Sequence, residues 1–274
     1  MRPFFILVYY CRMITSVVMN CDNAYTLNYM KKIYIYGKHA VSEALTYKTE
    51  AVLAVHLDAD KDSREIAALA KVAHVPVSYF KKTPPRGVDP LAVHQGVVAL
   101  VAEEKLLLLY KDFMAEFKPT IDTVLVILDG LYDPHNVGAV IRSASAFGAA
   151  AILIPKHDQA PITGVSVKTS AGMVFRVPLI EIGNINMTIR DLKERGFWIY
   201  GLEGGGTDIA KEKFDAPTVI VVGNEAEGIK QKTREHCDVL LSIPISARCE
   251  SLNASNAAAV ALYAWSLKHP SALK

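Results

Sequence analysis

Metal-binding and disulfide patterns are missing from this chain. Its four cysteines, Cys11, Cys21, Cys237 and Cys249, form no C-x-x-C pair, and no Cys/His spacing matches a zinc site. Reduced cysteines in a cytosolic protein are the simplest reading. Strong charge is missing as well. A formal net charge of +2 neither demands nucleic acid nor excludes it, because a local basic patch is enough. The phosphate and nucleophile signatures are also absent. No G-x-G-x-x-G follows a strand, and there is no G-x-x-x-x-G-K-[ST], G-x-S-x-G or H-E-x-x-H. These absences disfavour a dinucleotide oxidoreductase, a P-loop nucleotidase, a serine hydrolase and a zinc protease. The glycine-rich GLEGGGTD, residues 201–208, lacks a phosphate-loop lysine. His39, His94, His135 and His236 are scattered and read as structural.

The chain has 274 residues, 51% hydrophobic and 21% charged, which suits a globular protein of about two domains. Its opening, MRPFFILVYYCRMITSVVMN, is apolar but broken by Arg12. Neither side of Arg12 reaches the roughly 18 apolar residues of a membrane span. A basic residue before an apolar run fits a signal peptide, yet no A-x-A-like cleavage site follows. Met30 opens a cleaner pattern and reads as the functional start, with residues 1–29 a non-native or disordered leader. The N-x-S/T matches at Asn186 and Asn253 fall in helix-like segments and read as chance.

From Ile33 strands and helices alternate. KIYIYG, AVLAVHL, VPVSYF and HQGVVALVA read as strands. HAVSEAL and DSREIAALAKVA read as helices, the second capped by Asp62 or Ser63. This predicts a compact α/β unit over 30–102, with a Pro-broken loop, KKTPPRGVDP. EEKLLLLYKDFMAEFKPT, residues 103–120, reads as a linker with helical character. A second unit, 121–274, opens with TVLVILDG, which hardly alternates and so predicts a strand buried on both faces of a parallel sheet. AAILIP, VPLIEI, FWIYGL, TVIVVG and VLLSIPI are further strands. The closing LNASNAAAVALYAWSLKH is apolar almost all round. That predicts a helix enclosed in the fold or buried at a subunit interface.

Three strings carry candidate chemistry. In LDGLYDPHNVGAVIRSASAFG, Asn136 suits a helix N-cap, and Val137, Val140, Ile141, Ala144 and Phe147 form one core stripe. Arg142 points away from that stripe among the small residues Gly138, Ala139, Ser145 and Ala146. In VVGNEAEGI, Gly223 allows close backbone approach at a strand end. Asn224, Glu225 and Glu227 follow where open α/β sheets bind ligands; capping of the next helix is the equally weighted alternative. Glu225 is placed to accept from an arginine or a ligand amine. In SIPISARCESLNASN, Ser251 suits an N-cap, and Asn253, Ser255 and Asn256 crowd the first turn in need of partners.

Together and in order, these strings resemble the SpoU/TrmH family of RNA ribose 2′-O-methyltransferases. Asn136, Gly138 and Arg142 resemble its first motif, with the glycine two residues after the asparagine. Gly223-Asn224-Glu225 with Gly228 resembles the second. Ile243-Pro244 with Ser251-Leu252-Asn253 and Ser255 resembles the third. IYGKHAVSEAL and AVHQGVVA look like the RNA-binding extension of the 23S ribosomal RNA guanosine members. The resemblance implies an L30e-like front domain and a parallel-sheet domain with a deep trefoil knot. It implies a cytoplasmic homodimer without a membrane segment, acting on RNA, most readily a 23S guanosine. S-adenosylmethionine would be the methyl donor, without a metal, held near Gly223, Asn224, Ile243 and Leu252. Arg142 would serve as the base or as a phosphate clamp, oriented with Asn136, Glu225, Ser251 and Asn253. Lys81, Lys82 and Arg86 form the candidate RNA contact. A transfer-RNA enzyme of the same fold and a non-catalytic RNA-binding relative are the alternatives.

Overall fold

A computed structural model describes residues 31–89 and 92–274. The expected leader, the start at Met30, Cys11 and Cys21 all lie outside the described residues. The first unit is a four-stranded sheet of β1 (Lys32–Tyr36), β2 (Val52–Asp58), β3 (Val77–Phe80) and β4 (Val97–Ala102), ordered β1-β4-β2-β3. Only the β2–β3 pair is parallel. Helices α1 (Lys38–Tyr47) and α2 (Arg64–Val72) connect its strands. Ser63 occupies the α2 N-cap position without a side-chain cap bond, while the Asp62 carboxylate accepts from the Arg64 N–H.

The second sheet has seven strands: β5 (Leu107–Leu109), β6 (Val124–Asp129), β7 (Ala151–Pro155), β8 (Leu179–Ile182), β9 (Trp198–Asp208), β10 (Thr218–Gly223) and β11 (Val239–Ser242). Their order is β11-β9-β10-β6-β7-β8-β5, and every pairing is parallel. The helices are α3 (Tyr110–Glu116), α4 (Pro134–Ala146), α5 (Gly164–Thr169), α6 (Ile185–Glu194), α7 (Gln231–Arg234) and α8 (Ala254–Ser266). All six residues of β6 are buried, as expected for a strand covered on both faces. Successive side chains of a strand serve opposite faces. Val124, Val126 and Leu128 join one core with α4 and α8, while Leu125 and Ile127 join another with α6.

Three expectations change or narrow. The segment 103–120 holds a helix, α3, but its LLL forms β5, the edge strand beside β8. Three residues are too few for periodicity to separate strand from helix. Helix α8 is enclosed on one side only: Val260, Tyr263 and Leu267 are exposed, whereas Trp265 is fully buried. Strand β9 runs beyond FWIYGL, and its pairing with β11 jumps from Gly201 to Thr207, so residues 202–206 leave the ladder.

The chain runs outward from β6 through β7 and β8, then returns to the other side for β9 and β10. The order therefore reverses between β6 and β10, where Gly223 lies opposite Asp129. Crevices at such reversals, beyond the carboxyl ends of strands, are where open parallel sheets bind ligands.

Candidate active site

The three strings meet at that reversal. Asp133 caps α4 by accepting from the His135 N–H at 2.8 Å, and Pro134 takes the first helical position. Asn136 is therefore inside the helix and not its cap, which leaves its side chain for the site. Likewise Asn253, not Ser251, caps α8. Its Oδ1 accepts from the Ser255 N–H at 2.9 Å, the Ser255 hydroxyl at 2.6 Å and the Asn256 N–H at 3.4 Å. Ser251 is exposed, and its carbonyl accepts from the Cys249 thiol.

One hydrogen-bond chain joins the strings. The Asn253 Nδ2 donates to Asn136 Oδ1 at 3.0 Å, and Asn136 Nδ2 donates to Glu225 Oε1. The direction is forced, because an ionised carboxylate only accepts. Asn136 must turn its amide N–H to Glu225, its oxygen must then receive from Asn253, and Asn253 must turn its own oxygen to the α8 N-terminus. Charge-assisted bonds of this kind are stronger than neutral ones. Within the chain Glu225 thus receives from an asparagine and not from the arginine that was one of its two expected partners, and its Oε2, without a partner among the described residues, is left for the other, a ligand amine.

Glu225 and Glu227 do not cap a helix, since α7 begins only at Gln231 with Lys230 as its N-cap. They ride on a tight turn instead. The Asn224 N–H donates to Gly228 O and the Gly228 N–H to Asn224 O, each at 2.9 Å. Asn224 Oδ1 accepts from the Ala226 and Glu227 N–H groups, and its Nδ2 donates to Gly130 O at 2.9 Å. The turn folds back onto Gly223. A Cβ there would lie 2.3 Å from the Gly228 carbonyl carbon and 2.4 Å from the Ile229 nitrogen. The glycine admits close backbone approach as expected, but the approaching backbone is the chain's own.

Gly223, Asn224, Glu225, Ile243, Ser251 and Leu252 all line one cleft of about 570 Å³. Glu203, Glu225, Glu227 and Glu250 also line it, and no lysine, arginine or histidine does. Such a cleft favours a cationic ligand and disfavours a phosphate. Its volume suits a small molecule. Arg142 does not line it. It is exposed on α4 and has no ion pair among the described residues. The stripe beneath it behaves as expected: Val137, Val140, Ile141 and Ala144 are fully buried, and Phe147 packs on Tyr263.

Two supporting groups escaped the sequence reading. Asp129 is fully buried and accepts from the Lys230 N–H at 3.0 Å, fixing the chain just after the turn. The only signal was an acid closing an apolar strand. Glu203, in the excursion of β9, pairs with Arg234 at 2.8 Å and forms one wall of the cleft. Among the described residues no group of three or more His, Cys, Asp or Glu is placed to hold a metal ion. Lys81, Lys82 and Arg86 are exposed on the loop after β3, far along the chain from these groups.

Comparison with known proteins identifies the family. A profile described as the SpoU rRNA Methylase family matches residues 123–263, and one described as RNA 2′-O ribose methyltransferase substrate binding matches 34–107. The chain is 36% identical over 237 residues to the 23S rRNA (guanosine-2′-O-)-methyltransferase RlmB of Haemophilus influenzae, covering 84% of this chain and 95% of the relative. It is 37% identical over 240 residues to the enzyme of the same name from Vibrio vulnificus, covering 85% and 96%. In fold it resembles the SpoU methyltransferase AviRb from Streptomyces viridochromogenes, solved in complex with AdoMet. The TM-score is 0.73 at 23% identity, covering 88% of this chain and 91% of that one.

Proposed function

Because the chain belongs to the SpoU rRNA methylase family, we propose that it methylates a ribose 2′-hydroxyl of 23S ribosomal RNA, at a guanosine, using S-adenosylmethionine. The observation that carries this reading is the hydrogen-bond chain from Asn253 through Asn136 to Glu225, beside an acidic, phosphate-averse cleft. S-adenosylmethionine supplies a methyl group on a positively charged sulfur and carries no phosphate. The cleft residues fit that ligand: Gly223, Asn224, Ile243 and Leu252 present backbone and small apolar surface, and the glutamates favour its charge.

The attacking 2′-oxygen must lose its proton and stand in line with the methyl carbon. Orientation of this kind lowers a barrier by about 7–11 kcal/mol. Glu225, held through Oε1 by Asn136, offers Oε2 to the hydroxyl. A guanidinium is in general a poor base but a good fork for a phosphate, and Arg142 is assigned to the phosphate beside the ribose. Ser251 lines the cleft and is exposed, which leaves its hydroxyl open to RNA. Titration of S-adenosylmethionine into the protein tests the reading against a non-catalytic relative. Saturable binding, with methyl incorporation into ribosomal but not transfer RNA, is the expected result.

The finer features belong to the same reading. The division into a substrate-binding unit over 30–102, an L30e-like domain, and a catalytic unit is supported by the two sheets and the two profile matches, with the catalytic boundary moved from 121 forward to take in β5. A trefoil knot is supported by the strand order, in which β10 lies between β9 and β6, β11 lies outside β9, and α8 returns against α4 and β10. A homodimer is supported by the exposed apolar row of Val260 and Tyr263 on α8 and Leu267 at its C-cap. A cytoplasmic location follows from the substrate, and no helix among the described residues is long and apolar enough to cross a membrane.

Methyl transfer from a sulfonium needs no Lewis acid. Full activity is therefore expected after exhaustive chelation, measured as tritium transfer to RNA. A large loss restored by added metal would contradict this.

Lys81, Lys82 and Arg86 are expected to grip RNA through charge. The loop is exposed, and the neighbouring Tyr79 offers a free ring of the kind that stacks on bases. Phosphate contacts release counterions, with a log–log salt slope of about −0.7 per contact on single strands. Replacing all three by alanine should therefore flatten the slope by about 2. Titrations of ribosomal RNA fragments at several salt concentrations check this, and an unchanged slope removes the loop from the RNA surface.

A further inference from the structure

Residues 164–176, comprising α5 and the 3-10 turn Met173–Phe175, touch both sheets' units at once. On one side they pack on α4, the helix that carries Asn136 and Arg142. A Cβ on Gly138 would lie 2.6 Å from Ser166 O, so the two backbones are in close contact. The Ser145 hydroxyl donates to the Met173 sulfur at 3.4 Å, and His135 Nδ1 lies 3.3 Å from Thr169 Oγ1. On the other side the same residues pack on the four-stranded unit. A Cβ on Gly164 would lie 2.4 Å from Tyr34 O, and one on Gly172 would lie 2.8 Å from the Glu43 Cγ. Lys168 stands over the Tyr36 ring.

One ion pair closes this joint. Arg176 donates from Nε to Glu43 Oε2 at 2.5 Å and from Nη2 to Oε1 at 2.9 Å, and its guanidinium lies 4.2 Å from the centre of the Tyr47 ring. Glu43 is buried at 7% exposure, and its bonds to Arg176 hold its carboxyl below the usual glutamate range. A bidentate fork fixes direction as well as distance. The hydrophobic core runs unbroken through the joint, from Val41 and Ala44 of α1 to Val174 and Phe175 and on to Val137 and Val140 of α4.

We propose that Glu43 and Arg176 are positioning residues, which lock the RNA-binding unit at one angle to α4 and so decide which nucleotide reaches Arg142 and the cleft. The inference rests on the methyltransferase reading. Neither residue lines the cleft or belongs to the basic loop, so both act through the geometry of the joint. A fixed angle turns the RNA-binding unit into a ruler, in which RNA gripped by residues 81–86 presents one ribose to α4. A misplacement of about 1 Å at a reacting centre costs on the order of a hundredfold in rate.

The test uses the full chain with ribosomal RNA transcripts. Glu43→Gln, Arg176→Ala, Arg176→Lys and the exchange Glu43→Lys with Arg176→Glu are compared for donor affinity, RNA affinity, single-turnover rate and the methylated position mapped by primer extension. The expected result is donor and RNA affinities within about twofold of the parent, and a rate at the parental nucleotide at least about tenfold lower for Arg176→Ala. Methylation should spread to neighbouring nucleotides, with partial recovery in Arg176→Lys and in the exchanged pair. Unchanged rate and position in Glu43→Gln and Arg176→Ala would overturn the proposal. So would a parallel fall of both affinities with the rate, which marks a merely structural pair. Failure of the parent protein to methylate RNA would instead overturn the functional reading on which the proposal rests.

Discussion

Arg142→Ala should lower the rate of methyl transfer by about 10²-fold, the cost of a reacting group left about 1 Å out of place once its phosphate is no longer clamped. Donor affinity should stay within about twofold of the parent. The two halves of this expectation come from different facts. Arg142 is exposed and unpaired among the described residues, so its guanidinium is available to RNA. It is also absent from the cleft that the second and third strings line. Lysine at 142 keeps the charge but loses the planar fork, and should recover only a minor part of the rate. Isothermal titration with S-adenosylmethionine, beside single-turnover transfer to RNA, measures both quantities. A donor affinity that falls in step with the rate would move Arg142 from the RNA side to the donor side.

Gly223→Ala should show the opposite pattern. Even one methyl group would meet three backbone atoms of Gly228 and Ile229 within 2.4 Å, and backbone cannot rotate away as a side chain does. The turn carrying Asn224 and Glu225 must open. Overpacking of this kind costs about 1–3 kcal/mol, which, expressed wholly at the cleft, corresponds to a donor affinity lower by about fivefold to 150-fold. The melting temperature should drop as well, while RNA affinity, resting on the remote loop at 81–86, should not change. Retention of full donor affinity in Gly223→Ala would show that the turn tolerates rearrangement and does not shape the cleft.

Six of the seven strands of the parallel sheet and the three chemical strings were legible in the sequence because both are contiguous. TVLVILDG and TVIVVG declare themselves by unbroken apolar runs, and each delivers its acid or amide at the strand's end. The caps were misjudged by a few residues, with consequences. Asp133-Pro134 carried the real start signal for α4, an acid followed by proline at the first helical position. Moving the cap there releases Asn136 into the hydrogen-bond chain. The same shift at α8 makes Asn253 both the cap and the link. The contacts that bind the strings together join residues 89 and 117 positions apart, and no local pattern reports them. The pairing of Glu43 with Arg176 spans 133 positions and is hidden for the same reason. The one-sided burial of α8 was hidden differently, because an apolar helix looks alike whether its outer face meets its own chain or a second one.

The most direct test supplies the purified full chain with methyl-labelled S-adenosylmethionine and unmodified 23S ribosomal RNA, then digests the RNA to nucleosides. The account predicts label in 2′-O-methylguanosine, at one position in the transcript and lowered about a hundredfold in rate by Arg142→Ala. Label on a base, or no label in RNA under conditions where the donor is bound, would contradict it.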